Sequence, residues 1–148
     1  MLDSVYVKGV AWGVEMENAD ETGSYDKLKT LRMGLETTLD KDIIDVRQLN
    51  DIGGSEDFRK AMLNFFLFEE KLVSTTFRPF ENLNSSSKDE EKTKLEKALD
   101  DGADKEELEL DKVRKVQLNY AAKNGFTITP DGDKIKTQDN TLKILDHN

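Results

Sequence analysis

The chain has no cysteine and a single histidine, His147, which is next to its last residue. Without thiolates it cannot form disulfides, iron–sulfur clusters or cysteine-ligated zinc sites. Zinc, copper and iron sites otherwise draw on imidazole, so we expect no transition metal and no cofactor. A histidine in the tail is also poorly placed to activate a serine in a domain core, and no Gly-x-Ser-x-Gly motif occurs. We therefore predict that the protein is not an enzyme.

Long apolar runs and an excess of positive charge are missing as well. A membrane-spanning helix needs about 20 consecutive apolar residues, and the sequence contains no such run. The chain has 31 acidic against 22 basic residues, a net charge of −9, which repels nucleic-acid phosphates and anionic lipids. Neither Gly-x-Gly-x-x-Gly nor a Gly-Lys-Ser/Thr loop occurs. The expected partner is therefore a protein or a small ligand.

Apolar residues recur at spacings of three and four over much of the chain, which is the period of an amphipathic helix. The 148 residues are enough for one domain with one core. The clearest stripe predicts a helix over about residues 24–50, with Ser24 as its N-cap. Gly53-Gly54 then predicts a turn into an antiparallel second helix that starts at Ser55. We expect that helix to end or kink at Pro79, because proline lacks an amide hydrogen.

A polar linker at residues 84–87 should separate this helical hairpin from the last helical region. Ser87 and Glu90 fit a capping box, which predicts that a charged helix starts there. We expect Gly102 to interrupt that helix and Gly125 to end it.

The beginning and the end of the chain differ in their apolar pattern. Residues 2–16 gather apolar and small side chains on one face and predict a helix, with Gly9 and Gly13 allowing close helix packing rather than forming a ligand niche. Residues 127–136 place a Pro-Asp-Gly turn between two alternating runs, a β-hairpin signal. The predicted fold is all-α, an up-and-down four-helix bundle at residues 1–125. Residues 126–148 would form a hairpin-like or disordered tail of the same domain.

Glu69 is the most informative polar residue, because it falls within the apolar stripe of the second long helix. A carboxylate at such a position must be paired, protonated or directed into a wet pocket. Arg114 and Gln117 in the last helix, or Arg32, could supply a partner. A structural pair and a small-ligand pocket both remain open. We expect acidic runs such as Glu106-Glu107 to be solvated, with no specific metal site.

Two local patterns stand out: Gly-Ser-Glu-Asp-Phe-Arg-Lys-Ala-Met-Leu at residues 54–63 and Val-Gln-Leu-Asn-Tyr-Ala-Ala-Lys-Asn-Gly-Phe at residues 116–126. They resemble a family of small bacterial surface proteins, helical-bundle lipoproteins of unknown function. The resemblance covers roughly residues 24–128 and implies a four-helix bundle outside the cytoplasm. The chain departs from the family in having neither a signal segment nor an anchoring cysteine.

These observations leave two functional hypotheses. The first is a non-enzymatic interaction or structural module of the bacterial cell envelope, which requires that an upstream signal has been removed. The alternative is a small-molecule-binding helical bundle with a pocket near Glu69. If there was no such signal, we expect a cytoplasmic protein.

Overall fold

The fold is described from a computed structural model, which describes residues 2–49, 56–123 and 125. Within these residues there are four α-helices: α1 (Leu2–Thr22), α2 (Leu28–Arg47), α3 (Glu56–Leu72) and α4 (Asp89–Lys123). A π-helical segment, Val73–Phe77, and a 3-10 segment, Arg78–Asn82, continue α3. This part of the chain has no strand, so the all-α prediction is confirmed. The predicted β-hairpin lies outside the described residues.

Helix α1 confirms the prediction that the first segment is helical rather than extended. Its buried residues lie on one face of the helix, and they are Val5, Gly9, Trp12, Gly13, Met16 and Ala19. Such a stripe lets one side of the helix pack on the core while the other faces water.

Helix α2 begins at Leu28, so the predicted N-cap at Ser24 is wrong. The reason is Tyr25, which is buried and donates a 2.8 Å hydrogen bond from its hydroxyl to Asp20 Oδ1 in α1. Residues 23–27 therefore form the connection between the two helices. Ser24 instead donates a 3.4 Å hydrogen bond from its hydroxyl to Asp26 Oδ2.

Consecutive helices run antiparallel, as an up-and-down bundle requires. The start of α3 lies against the end of α2, where Arg59 donates a 3.4 Å hydrogen bond to the Arg47 carbonyl oxygen. The 3-10 segment lies against the start of α2, where Arg32 pairs with Glu81. The predicted Gly53-Gly54 turn between the two helices lies outside the described residues.

Pro79 marks the break predicted for the second long helix. The α-helical pattern ends at Leu72, and the chain continues through the π-helical and 3-10 segments before becoming extended at Leu83. Proline cannot donate the helical hydrogen bond to Thr75, and its ring crowds that carbonyl. The wider π turn and the tighter 3-10 turn accommodate the residue.

The predicted interruption at Gly102 is wrong, because α4 continues from Asp89 to Lys123. Gly102 instead allows close packing of α4 on α3: a Cβ atom at this position would lie 2.4 Å from Leu72 Cδ1. Gly125, with φ of +73°, follows α4 as predicted.

The capping box predicted at the start of α4 is also absent. The Ser87 hydroxyl accepts a 2.9 Å hydrogen bond from the Asn84 backbone N–H, so it stabilises the preceding turn. The carbonyl of Lys88 accepts the first hydrogen bonds of the helix, from the N–H groups of Glu91 and Lys92.

The four helices do not approach one another equally. Helix α2 packs closely on α1 and α3, and α3 on α4. Among the described residues, no Cα atom of α1 lies within 8 Å of a Cα atom of α4. We call the space between these two helices, which is walled by Leu2, Tyr6 and Gly9 on one side and by Glu106 and Leu110 on the other, the α1–α4 groove.

Candidate functional site

Two carboxyl groups meet in the interior of the bundle. Glu69 of α3 is 4% exposed and Glu106 of α4 is 5% exposed, and their side chains share a hydrogen bond. The antiparallel packing of α3 on α4 brings them together, one helical turn from the contact between Leu72 and Gly102.

A hydrogen bond between two carboxyl groups requires a proton, because an ionised carboxylate can only accept. Burial raises the pKa of Glu69 above its usual range, and the hydrogen bond from Glu106 offsets part of that effect. Desolvation penalises the charged form, and two like charges in contact would repel each other. The pair therefore keeps one proton and carries at most one negative charge.

The α1–α4 groove contains a small cavity that both carboxyl residues line. Its volume, counted as the space open to the centre of a water molecule, is about 30 Å³, which is room for about two waters. Glu69 Oε1 is buried and has no hydrogen-bond partner. The remaining lining is mostly apolar and consists of Leu2, Val5, Tyr6, Gly9, Leu35, Phe65, Phe77 and Leu110, with Glu106 completing the wall.

Gly9 forms part of the α1 wall of this cavity. A Cβ atom built at Gly9 would meet no heavy atom within 4 Å beyond its chain neighbours and the backbone of its own helix. Close helix packing, which we predicted for this position, is therefore wrong for Gly9. The missing side chain therefore leaves open space in the wall of the cavity.

The break in helix α3 builds the far wall. Phe77, the last residue of the π-helical segment, lines the cavity. Its ring stacks on Trp12 of α1 with centroids 4.0 Å apart, and the Phe80 ring meets Trp12 edge-on at 5.6 Å. Offset stacking and edge-to-face contacts of this kind stabilise aromatic clusters. The cavity wall at Phe77 is thus packed against an aromatic cluster.

Arg32, one of the partners expected for Glu69, has other partners. Its guanidinium donates to both carboxylate oxygens of Glu81, with the Nη2–Oε1 bond 3.1 Å long, and to Glu36 Oε2 at 3.0 Å. Arg32 also lines a separate polar cleft of about 330 Å³, together with Lys29 and Arg78. It is the centre of a structural ion-pair cluster.

Arg114 and Gln117 do not line the cavity either. Arg114 forms an ion pair with Asp111, one turn earlier in α4, and Gln117 is half-buried on the same helix. Of the four predicted site residues, Glu69 alone lines this cavity. Its hydrogen-bond partner is an acid, whereas we expected a base or an amide.

Sequence reasoning missed Glu106 because it stands in a highly charged run. We expected Glu106-Glu107 to be solvated, and Glu106 is buried. A signal was present, since Gly102, Glu106, Leu110 and Val113 are spaced by four, four and three residues and are all buried. Because we assigned Gly102 to a helix break, we did not follow this stripe of buried positions across Gly102.

Carboxyl groups also meet between α2 and α3. A hydrogen bond with Asp40 is the largest of several effects that raise the pKa of Glu70 to about 7. Burial raises the pKa of Asp42 in α2, whose Oδ2 is buried without a hydrogen-bond partner. Acidic side chains are therefore partly buried at several places in the bundle.

The described residues contain no group of three or more His, Asp or Glu side chains arranged to hold a metal ion. Within the same ranges no helix has both the length and the apolar character needed to cross a membrane.

A scan against models of protein families and searches of curated proteins and of solved structures found no match to this chain.

Proposed function

We propose that the protein is a non-catalytic bundle that binds a small molecule, with its site at the cavity beside Glu69 and Glu106. One observation carries the proposal: Glu69 lines the cavity, and its buried Oε1 has no hydrogen-bond partner. A buried polar atom left unpaired costs about 1–3 kcal/mol. A ligand that donates a hydrogen bond to this oxygen would recover that energy.

The surroundings support a ligand role over a purely structural one. A structural carboxylate pairs with a base, as Arg32 and Glu81 do in this protein. Glu69 is joined to a second acid instead, and apolar residues of similar volume would pack the same position without desolvating two carboxyl groups. The open space at Gly9 adds room on the other side of the pair.

Binding is favoured over catalysis by the chemistry of the cavity. Carboxyl pairs that share a proton do serve as acid and base in some enzymes. Apart from this pair and Tyr6, the residues that line the cavity are apolar, so among the described residues no further side chain is placed there to stabilise the charge of a transition state.

The proposal is tested by a fragment screen followed by nuclear magnetic resonance. Bound fragments should shift the backbone amide signals of Gly9, Glu69 and Glu106. Gly9→Ala should abolish these shifts because it adds a methyl group to the cavity wall. Gly34→Ala is the matched control, since Gly34 is also helical and open to a Cβ atom but does not line the cavity. A screen with no hits, or hits that ignore Gly9→Ala, would contradict the proposal.

A second candidate, the interaction module, is favoured by the outer face of α1. Val7 and Val14 are 62% and 50% exposed, and Val10 and Ala11 lie between them on the same face. This apolar stripe lies opposite the buried face of the helix. A module that binds a protein through α1 should lose its partner in the double variant Val7→Glu, Val14→Glu while keeping its helical circular dichroism spectrum. Its placement in the bacterial cell envelope rests on the family resemblance alone.

A further inference from the structure

The polar cleft beside Arg32 lies apart from the cavity that Glu69 lines. Its volume, counted as the space open to the centre of a water molecule, is about 330 Å³. Its lining comes from the connection before α2, from α2 itself and from the 3-10 segment. No described residue lines both the polar cleft and the cavity, so the two can be considered separately.

An ion pair fixes the two walls of the polar cleft relative to each other. Arg32 of α2 is 5% exposed and donates to both carboxylate oxygens of Glu81 in the 3-10 segment. Glu36 accepts a further hydrogen bond of 3.0 Å from the same guanidinium. The charge of Arg32 is therefore balanced within the chain, and its role at the cleft is to hold the walls in place.

Two other basic residues line the polar cleft, one from each wall, and have no acidic partner. Lys29 lies in the first turn of α2, and Arg78 is the first residue of the 3-10 segment. Both are exposed, and neither side chain forms an ion pair or a hydrogen bond with a residue that the structure describes. Asp26 is the one lining acid outside the Arg32 cluster. Two cations and one acid thus leave an excess of positive charge here, although the whole chain has a net charge of −9.

The start of α2 adds to the positive field at the polar cleft. The first turn of this helix contains no acidic residue, so no side chain of that turn offsets the positive end of the helix dipole. Lys29 stands in the same turn, where a cation is disfavoured unless an anion lies close to it. A bound anion would be attracted by Lys29, by Arg78 and by the helix end together.

A carboxylate with a single negative charge matches these groups. Its two oxygens can accept the parallel N–H donors of a guanidinium such as Arg78, and they can also accept from the ammonium group of Lys29. A phosphate dianion carries a second charge, which Asp26 and Glu81 would repel. Most of the lining residues are polar, so the rest of the ligand should be a short polar group rather than an apolar chain.

From these features we infer that the polar cleft is a second binding site, and that it takes a small, polar carboxylate anion. Arg78 and Lys29 bind the carboxylate from the two walls that the Arg32–Glu81 pair holds in place. The inference goes beyond the proposed function, because it depends neither on the cavity beside Glu69 nor on a ligand there.

The inference is tested by titrating the protein with sodium glycolate, glycolamide and inorganic phosphate at pH 8 and constant ionic strength. Heteronuclear nuclear magnetic resonance follows the backbone amide signals of Lys29 and Arg78. Glycolamide has nearly the shape of glycolate without its charge. We expect glycolate to bind about fivefold more tightly than glycolamide, a modest ratio because charged contacts at exposed side chains are weak. Phosphate should bind less tightly than glycolate.

Arg78→Gln and Lys29→Gln each remove one of the two cations. Each should weaken glycolate binding about fivefold and change glycolamide binding by less than about twofold. Lys27→Gln is the matched control, because it removes an exposed positive charge at the same end of α2 from a residue that does not line the cleft. It should change glycolate binding by less than about twofold. A native-like circular dichroism spectrum establishes that each variant folds.

Three results would overturn the inference. They are equal binding of glycolate and glycolamide, tighter binding of phosphate than of glycolate, and a loss of glycolate binding in Lys27→Gln as large as in Arg78→Gln and Lys29→Gln. Glycolate that shifts neither the Lys29 nor the Arg78 signal would overturn it as well. The proposed function is judged by other signals, those of Gly9, Glu69 and Glu106, so the two can fail separately.

Discussion

The bundle buries charged side chains in two regions, and the two differ in how each charge is satisfied. Between α2 and the 3-10 segment, Arg32 is 5% exposed and is held by two acids, Glu36 and Glu81. At the base of the α1–α4 groove, Glu69 is equally buried but meets another acid, Glu106, and keeps one oxygen unpaired.

We propose that this difference separates a structural role for Arg32 from a binding role for Glu69. The Arg32 cluster is complete within the chain, because its positive charge lies between two negative ones. Glu69 differs, since its Oε1 has no hydrogen-bond partner and its side chain lines a cavity. Burial of a charge alone therefore does not point to a binding site, whereas burial combined with an unmet hydrogen bond and open space makes a site worth testing.

The largest change in unfolding free energy should come from removing Arg32 from its ion-pair cluster. Arg32→Met keeps an unbranched apolar stem and removes the guanidinium, which leaves Glu81 largely buried without its base. Removing one partner of a buried ion pair costs about 3 kcal/mol, and we expect the free energy of unfolding to fall by that amount. Chemical denaturation measures it. A loss of unfolding free energy below about 1 kcal/mol would show that the pairing of Arg32 contributes no more than an exposed ion pair does.

Gly102→Ala tests the closed packing of α4 on α3. The new methyl group would lie 2.4 Å from Leu72 Cδ1, and overpacking of this kind costs about 1–3 kcal/mol. Alanine recovers about 1 kcal/mol of helix propensity, so we expect a net loss of about 1 kcal/mol. Repeating the substitution with Leu72→Ala in place should remove the clash and turn the loss into a gain. An equal loss in both backgrounds would contradict the contact.

The carboxyl pairs predict an unusual dependence of stability on pH. A hydrogen bond with Asp40 is the main cause that raises the pKa of Glu70 from 4.5 to about 7 in the folded protein. The folded chain therefore holds this proton more tightly than the unfolded chain. The resulting stability is fully present below about pH 4.5 and is lost as the pH rises through about 7. Burial raises the pKa of Glu69 as well, which acts in the same direction.

We accordingly expect the free energy of unfolding to be larger at pH 5.5 than at pH 8, by on the order of 1 kcal/mol after solvent screening. Urea denaturation at the two pH values measures the difference. Glu70→Gln should reduce it, because the variant cannot titrate at that position. A wild-type protein that is more stable at pH 8 would contradict this. It would show that basic partners, as in the Arg32 cluster, stabilise most of the buried acidic side chains in their charged form.

The smallest change in unfolding free energy is expected for a substitution at Gly9, in the α1–α4 groove. Gly9→Ala places a methyl group where no clash occurs, and alanine in a helix interior is favoured over glycine by about 0.5–1 kcal/mol. We therefore expect Gly9→Ala to stabilise the protein by about 0.5 kcal/mol, the opposite sign from Gly102→Ala. Thermal unfolding in comparison with Gly34→Ala measures it, and destabilisation by Gly9→Ala alone would mean that the cavity is closed.

The helices could be predicted from the sequence wherever one face carries a regular apolar stripe, as in α1 and α2, and so could the break at Pro79. Glu69 stood out for the same reason, since its charge interrupts such a stripe. The role of Gly102 could not be predicted, because glycine either ends a helix or permits close packing. Only the position of Leu72 on the neighbouring helix distinguishes the two. The pairing of Glu69 with Glu106 likewise depends on the register between α3 and α4.

We infer that Glu69 holds a shared proton at a cavity within the folded bundle. Carbon-13 nuclear magnetic resonance of the side-chain carboxyl carbons, followed as a function of pH and assigned with Glu69→Gln and Glu106→Gln, tests this inference. We predict that the Glu69 carboxyl titrates at a higher pH in the folded protein than in the urea-unfolded chain, and that its signal shifts when Glu106 is replaced. A midpoint at or below that of the unfolded chain, unaffected by Glu106→Gln, would contradict it.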